Sequence, residues 1–226
     1  MKIAVLSGAG ISAESGLKTF RDSNGLWEGH DVMEVATPEG FARNPELVLE
    51  FYNQRRRQLL EVIPNAAHLA LAELEAHYDV TVITQNVDDL HERAGSTNVV
   101  HLHGELLKVR SSVHEDMILD WPHDLNLGDV CNRNSQLRPH IVWFGEPVPM
   151  MDLAMDMVEQ SDAIIIVGTS MQVYPAAGLI QYAPSHAHVY FVDPNPSLSS
   201  SERITVFAEK ATTGIHKVIS AIKENL

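Results

Sequence analysis

Four short polar stretches, each directly behind an apolar β-branched run, carry the side chains of this sequence best suited to chemistry. Thr84-Gln85-Asn86-Val87-Asp88 follows Val80–Ile83, and His103-Gly104 follows Val99–Leu102. Gly168-Thr169-Ser170 follows Ile164–Val167, and Asp193-Pro194-Asn195 follows Val189–Val192. Ligands of open α/β sheets gather at the carboxyl ends of strands, where such hydrogen-bonding groups would meet them. A fifth stretch opens the chain, where Ile3–Leu6 runs into Ser7-Gly8-Ala9-Gly10-Ile11-Ser12-Ala13. Gly8-x-Gly10-x-x-Ala13 matches a dinucleotide fingerprint: a turn glycine, a glycine admitting pyrophosphate, and a small residue packing helix on strand. Amides at the helix start would then face the phosphates. A plain structural turn is the alternative, since Gly, Asn, Asp and Ser favour turns for local reasons. Five such stretches together favour a nucleotide site. The acid that binds ribose in hydride-transfer enzymes, about 20 residues on, is missing. Asp22 and Asp31 lie instead in polar, glycine-bearing sequence, so the nucleotide is held differently.

An arginine supplies a second chemical signal. Asn44 as N-cap and Pro45 at the first helical position open a helix that runs to about Val62, before Pro64. Val48, Tyr52, Arg55, Leu59 and Val62 follow 4-3-4-3 spacing, which places Arg55 on the apolar stripe. A buried guanidinium needs an anionic partner. That partner is an internal carboxylate or a ligand carboxylate gripped with Tyr52, or else the side chain snorkels to solvent. Arg56 and Arg57 point elsewhere and read as a solvated face.

The elements that must position these groups alternate along the chain. Runs at Ile3–Leu6, Val80–Ile83, Val99–Leu102, Ile141–Phe144, Ile164–Val167 and Val189–Val192 read as strands. Further helices are expected over Ala66–His77, Asp152–Gln160 and Thr213–Asn225. The pattern implies an α/β fold: a Rossmann-like, mostly parallel sheet with helices on both faces. Ser111–Arg138 breaks the rhythm and reads as a small inserted domain. The whole chain is taken as one unit, with a large part over about 1–28, 64–108 and 140–226. Its small part covers about 29–63 and 109–139.

The 226 residues carry a net charge of −14, which argues against a nucleic-acid surface. No run is long enough to span a bilayer, and the single Cys131 excludes an internal disulfide and suits a reducing, cytoplasmic setting.

Taken in order, Gly8-Ala9-Gly10-Ile11-Ser12 with Thr19-Phe20-Arg21, Thr84–Asp88, His103-Gly104, Trp143-Phe144-Gly145-Glu146 and Gly168-Thr169-Ser170 followed by Val173 resemble the sirtuin family, NAD-consuming protein-lysine deacylases. The resemblance covers nearly the whole chain. Ser12–Gly16 together with Tyr52 and Arg55 is similar to the class III branch, which favours acidic acyl groups. The resemblance implies that acylated lysine of a peptide or protein reacts with NAD, giving nicotinamide, O-acyl-ADP-ribose and free lysine. It assigns His103 as the base that deprotonates a ribose hydroxyl, with Asn86 and Asp88 around the nicotinamide and its ribose. His101, two residues earlier, should face the other way. Phe20 and Arg21 become a cover over the cofactor, and Gly8, Ala9, Gly10, Ser12, Gln85, Gly168, Thr169, Ser170, Asn195 and Ala211 further NAD contacts. Tyr52 and Arg55 become the acyl pocket. The peptide is expected to add as a strand between Phe144-Gly145-Glu146 and Met171-Gln172-Val173. A plain deacetylase, a non-catalytic NAD or ADP-ribose reader, and an ADP-ribosyltransferase or NAD glycohydrolase are the competing readings.

One departure stands out. Where the family carries two Cys-x-x-Cys zinc pairs, this chain has Ser111, His114, Cys131 and Asn134. Ser and Asn are not ordinary zinc ligands, so structural zinc is expected to be lost unless Asp116 or His123 rebuilds the site. The insertion must then be held by Ile118, Leu119, Trp121, Leu125 and Leu127.

Overall fold

The computed structural model describes residues 1–18, 26–27, 29–114 and 116–224. Among the described residues eleven strands form three sheets. They are β1 (Lys2–Ser7), β2 (Leu26–Trp27), β3 (His30–Asp31), β4 (Asp79–Thr84), β5 (Val99–His101), β6 (Gly104–Ser111), β7 (Ile118–Asp120), β8 (Leu137–Ile141), β9 (Ala163–Val167), β10 (His188–Val192) and β11 (Ile204–Phe207). The helices are α1 (Ala9–Ala13), α2 (Val32–Val35), α3 (Pro38–Arg43), α4 (Pro45–Glu61), α5 (Ala66–Leu74), α6 (Leu90–Ala94), α7 (Met151–Glu159) and α8 (Ala211–Glu224), with a 3-10 turn over Ala176–Tyr182.

The large sheet has the order β11-β10-β9-β1-β4-β5, and all its pairings are parallel. Strand alternation sends Ile3 and Val5 to one face, against α5 and α8. Ala4 and Leu6 go to the other, against α7 and the 3-10 turn. Such two-sided burial is why these strands read as unbroken apolar runs. The chain leaves β1 toward β4 on one side and returns through β9 on the other, so the strand order reverses between β1 and β9. A crevice opens at such a switch point, beyond Ser7 and Val167.

The second unit packs α2, α3 and α4 against an antiparallel sheet ordered β7-β6-β8. The expected strand Ile141–Phe144 is corrected here: β8 ends at Ile141 and belongs to this smaller sheet, because Gly104 pairs with Ile141. The smaller sheet thus begins at Gly104, ahead of the expected insertion. β6 (Gly-Glu-Leu-Leu-Lys-Val-Arg-Ser) escaped notice because it has no apolar run, and edge strand β11 because none of its residues is fully buried.

α4 begins as expected, with Asn44 Oδ1 accepting from the Leu47 amide at 3.2 Å and Pro45 in the first turn. Val48, Tyr52, Arg55 and Leu59 are buried, but the stripe is wider than the spacing implied. Arg56 is 0% exposed and is therefore no solvated residue. Its Nε donates to Leu106 O at 3.1 Å and its Nη1 to Asn53 Oδ1 at 2.7 Å. The reason is that α4 is covered on a second side by β6 and the insertion. Arg57 does face solvent, between Glu50 and Asp124.

The insertion is held differently from expectation. Leu125 is fully buried and Trp121 packs beside it, whereas Ile118, Leu119 and Leu127 are exposed. Val109, Cys131, Leu137 and, from α4, Leu49 complete the cluster. Among the described residues no helix is long and apolar enough to cross a membrane.

Candidate active site

A cleft of about 500 Å³ opens at the switch point, between the strand ends of the large sheet and α4. Its floor is two turns in contact. Gly8 N donates to Val167 O at 3.2 Å and Gly10 N to Gly168 O at 2.8 Å. A Cβ on Gly8 would lie 2.7 Å from Thr169 Cβ, and one on Gly10 would lie 2.8 Å from Gly168 Cα. Gly168 itself has φ +64°, and a Cβ there would run into the Ile11 amide. The glycines are thus required first by the approach of two loops, leaving a backbone surface low enough for a ligand to lie on. The expected phosphate-facing amides need correction: Gly10 N is used by Gly168 O and Ile11 N by Gly8 O.

Asn86 and Asp88 form one wall. Asn86 Nδ2 donates to Gly8 O at 3.2 Å and to Ser12 Oγ at 3.1 Å, while Ser12 Oγ donates to Asp88 Oδ2 at 2.9 Å. The Leu90 amide donates to Asp88 Oδ1 at 3.2 Å. Burial pushes the Asp88 carboxyl up to about 6, against the pull of those hydrogen bonds. The carboxylate is therefore ionised at neutral pH and desolvated, a ready acceptor for a hydroxyl or a developing positive charge.

His103 lines the cleft, and His101 lines a separate cavity of about 290 Å³. His103 Nδ1 lies 3.0 Å from Gln85 O, so it carries the proton and leaves Nε2 as the basic nitrogen. Burial lowers its pKa, only partly countered by Gln85, which keeps it neutral near pH 7. His101 instead meets Asn86 O at 3.0 Å and Glu92 Oε1 at 2.7 Å. Burial pulls its pKa down, but Glu92 outweighs this and raises it. The two imidazoles are thereby set to opposite roles.

Most other expected residues meet in this cleft. Ala9, Ser170, Val173 and Asn195 line it, and Gln85 Nε2 donates to Thr169 Oγ1 at 3.1 Å. Ala211 does not line it: it is buried in the sheet core at the start of α8. Phe20 and Arg21 lie outside the described residues. Tyr52 and Arg55 reach the cleft from α4. Arg55 Nη1 donates to Phe51 O at 2.7 Å, and its guanidinium lies 3.3 Å from the Phe51 ring centroid and 5.0 Å from that of Trp27. Tyr52 Oη accepts from Trp143 Nε1 at 2.9 Å, and burial raises the phenol pKa, so it stays protonated.

Phe144, Gly145 and Glu146 line the cleft but form a turn, with Glu146 N donating to Trp143 O at 3.0 Å. Phe144 N is used by Ala36 O at 2.9 Å, so the expected strand pairing with a peptide has no preformed edge there. The Glu146 carboxylate turns inward to Arg138 at 2.6 Å, Arg110 at 3.1 Å and Trp143 N at 2.8 Å. Burial raises its pKa, but Arg138 and Arg110 outweigh that and hold it down. Trp27, Gln58 and Tyr174 also line the cleft and were missed, while Asp193, from the expected loop after β10, lines it as well. Gln58, three residues beyond Arg55 on α4, was the one that helical spacing could have found.

Of the four positions where the resemblance implies zinc ligands, Ser111 and Asn134 carry no ordinary zinc donor. Ser111 Oγ accepts from the His114 and Val113 amides at 3.1 and 3.3 Å and stands 3.6 Å from Cys131 Sγ. Only His114 and Cys131 are zinc donors, and no group of three His, Cys, Asp or Glu side chains suited to a metal is found among the described residues.

Residues 8–175 match the model of the Sir2 family. The chain is 63% identical over 192 residues to an NAD-dependent protein deacylase of Helicobacter pylori, covering 85% of this chain and 84% of that protein. It is 52% identical over 223 residues to one of Bacteroides thetaiotaomicron, covering 96% of this chain and 95% of that protein. Among solved structures, a Sir2 homolog–NAD complex superposes with a TM-score of 0.88 at 38% identity, covering 99% of this chain and 90% of that one.

Proposed function

The chain belongs to the Sir2 family and is an NAD-dependent protein deacylase, and from that premise we propose that it prefers lysine acyl groups ending in a carboxylate, succinyl and malonyl, over acetyl. The observation that carries this reading is Arg55, which lines the same cleft as His103 and is only 8% exposed. A guanidinium held among Phe51, Trp27 and Tyr52 suits a charge-assisted pair with an anionic acyl tail, and the Tyr52 hydroxyl is a second donor beside it.

NAD supplies an electrophilic ribose carbon once its nicotinamide leaves. The residues of this chain do the rest. Gly8, Gly10 and Gly168 let the pyrophosphate lie against backbone, and Asn86, Asp88 and Ser12 orient the ribose and nicotinamide. The anionic Asp88 stabilises positive charge as the glycosidic bond lengthens. The acyl oxygen of the bound lysine would bond to the ribose carbon that nicotinamide leaves. His103 Nε2 would then take the proton of a ribose hydroxyl, whose oxygen attacks the acyl carbon, and water would release the lysine amine with the acyl group left on ADP-ribose. Trp27, Leu59, Leu106 and Ile141 give the acyl chain an apolar channel. The acylated lysine enters past Phe144 and Val173. A reducing, cytoplasmic setting fits the single cysteine.

Arg55→Met is expected to lower kcat/KM on succinyl-lysine peptide by about 100-fold and on acetyl-lysine peptide only slightly, as loss of one partner of a buried charge pair implies. Equal losses on both peptides would refute the acyl role of Arg55.

A further inference from the structure

Beneath the glycine turn lies a buried polar chain that the cleft chemistry does not use. Ser7, Thr84, His68 and His91 are each 0% exposed. Ser7 Oγ donates to Thr84 Oγ1 at 2.9 Å, and His91 Nε2 stands 2.9 Å from the same Ser7 oxygen. With the Ser7 hydroxyl proton directed at Thr84, His91 Nε2 is the donor to Ser7. Thr84 Oγ1 also accepts the Asn86 amide at 3.0 Å.

On the far side, His68 Nδ1 accepts the Asn65 amide at 3.4 Å within the capping box of α5, which leaves the His68 proton on Nε2. The His68 and His91 rings meet edge to face with centroids 4.9 Å apart. His68 Nε2 and His91 Nδ1 are the two ring nitrogens of the pair with no partner among the described residues. By the assignments just made, one is a donor and the other an acceptor. One water bonded to both nitrogens would satisfy the pair. The other His91 tautomer would set two N–H groups against each other. Burial lowers both pKa values, that of His68 to about 4, so both rings are neutral at pH 7. Asn65 also donates to Ile11 O at 2.8 Å and Ser15 Oγ at 2.9 Å, so the chain links the first turn to the Asn86 wall.

We propose that His91 is a positioning residue for the deacylation: its Nε2–H orients Ser7 and Thr84, and Thr84 fixes the Asn86 backbone from which Asn86 and Asp88 reach the cleft. The inference rests on the reading that those two side chains work on NAD. Nitrogen-15 NMR of histidine-labelled protein tests the first half, with a protonated Nε2 and bare Nδ1 expected for His91 near neutral pH. A protonated Nδ1 overturns the proposal. For the second half, His91→Leu should lower kcat about 10- to 100-fold, the range a small misplacement of reacting groups produces, with little change in KM for NAD. His91→Gln keeps an N–H near the Nε2 position and should recover most of that loss. Wild-type kcat in His91→Leu, or equal losses in both variants, overturns the positioning role. Should His91→Leu not fold, the NMR result and His91→Gln decide. Asn86→Ala run in parallel separates the two failures: full activity there overturns the cleft reading itself, whereas an inactive Asn86→Ala beside an unimpaired His91→Leu overturns only the role of His91.

Discussion

Asp88 is held at odds with the stability of the fold. Its carboxyl, about 3.8 in an unfolded chain, is pushed up to about 6 by burial. Below about pH 4 it is protonated in both states and carries no penalty. Between pH 4 and 6 the folded protein retains a proton that the unfolded chain has released, and above pH 6 the full burden of an ionised buried carboxylate is present. A shift of that size corresponds to about 3 kcal/mol. Asp88→Asn, which preserves shape and leaves an acceptor for the Leu90 amide, is therefore expected to raise stability by about 1 to 3 kcal/mol at pH 8, with the gain fading by pH 4. Urea melts at several pH values measure this, and deacylation should collapse in the same variant. A melt in which the variant is no more stable at pH 8 than at pH 4 would count against an ionised, strained Asp88. The Asn86–Asp88 pair and His103 were legible in the sequence because strand ends expose turn chemistry. The Ser12 bridge between them was legible only as part of a glycine fingerprint, since no linear spacing shows that Ser12 and Asp88 touch.

The glycine-rich turn, α1 and the Gly168 turn act as one element although 160 residues of chain separate Gly8 from Gly168. Gly168→Ala would combine a left-handed φ of +64° with a Cβ placed on the Ile11 amide. Gly145 has φ +91° but nothing within 4 Å of a built Cβ, so Gly145→Ala meets backbone strain alone, about 1 kcal/mol. Gly168→Ala is expected to weaken NAD binding by more than about tenfold and to destabilise by more than its counterpart, because relieving the clash must part the two turns. Isothermal calorimetry and thermal melts on the two variants compare them, and equal behaviour would show that loop contact is unimportant. The parallel strands were legible since both their faces are buried. β6 was not, because its Glu105 and Lys108 pair with each other across a partly exposed face and break the apolar pattern. Arg56 misled for a related reason: periodicity reports one buried stripe, whereas α4 is covered twice.

At the scale of the molecule, α4 joins the two units. One face presents Tyr52 and Arg55 to the cleft, while behind it Leu49 and Asn53 fasten the insertion and Arg56 fastens β6. Asn53 bonds both the amide and the carbonyl of Leu125, at 2.8 and 3.0 Å, so the insertion is anchored at its buried centre rather than only at its rim. Ser111, at the end of β6, accepts two amides and faces Cys131. The stability of this unit should then reside in packing. Leu125→Ala is expected to lower stability by about 2 to 5 kcal/mol, the range for a truncated core leucine, and to reduce turnover on succinyl and acetyl peptides alike as α4 loosens. Incubation with a strong chelator should leave the melting temperature where it was, because one imidazole and one thiol cannot complete a tetrahedral zinc site. Elemental analysis that found one zinc per chain, or a melt that moved with chelator, would transfer the burden from Leu125 and its neighbours to a metal and overturn this account of the insertion.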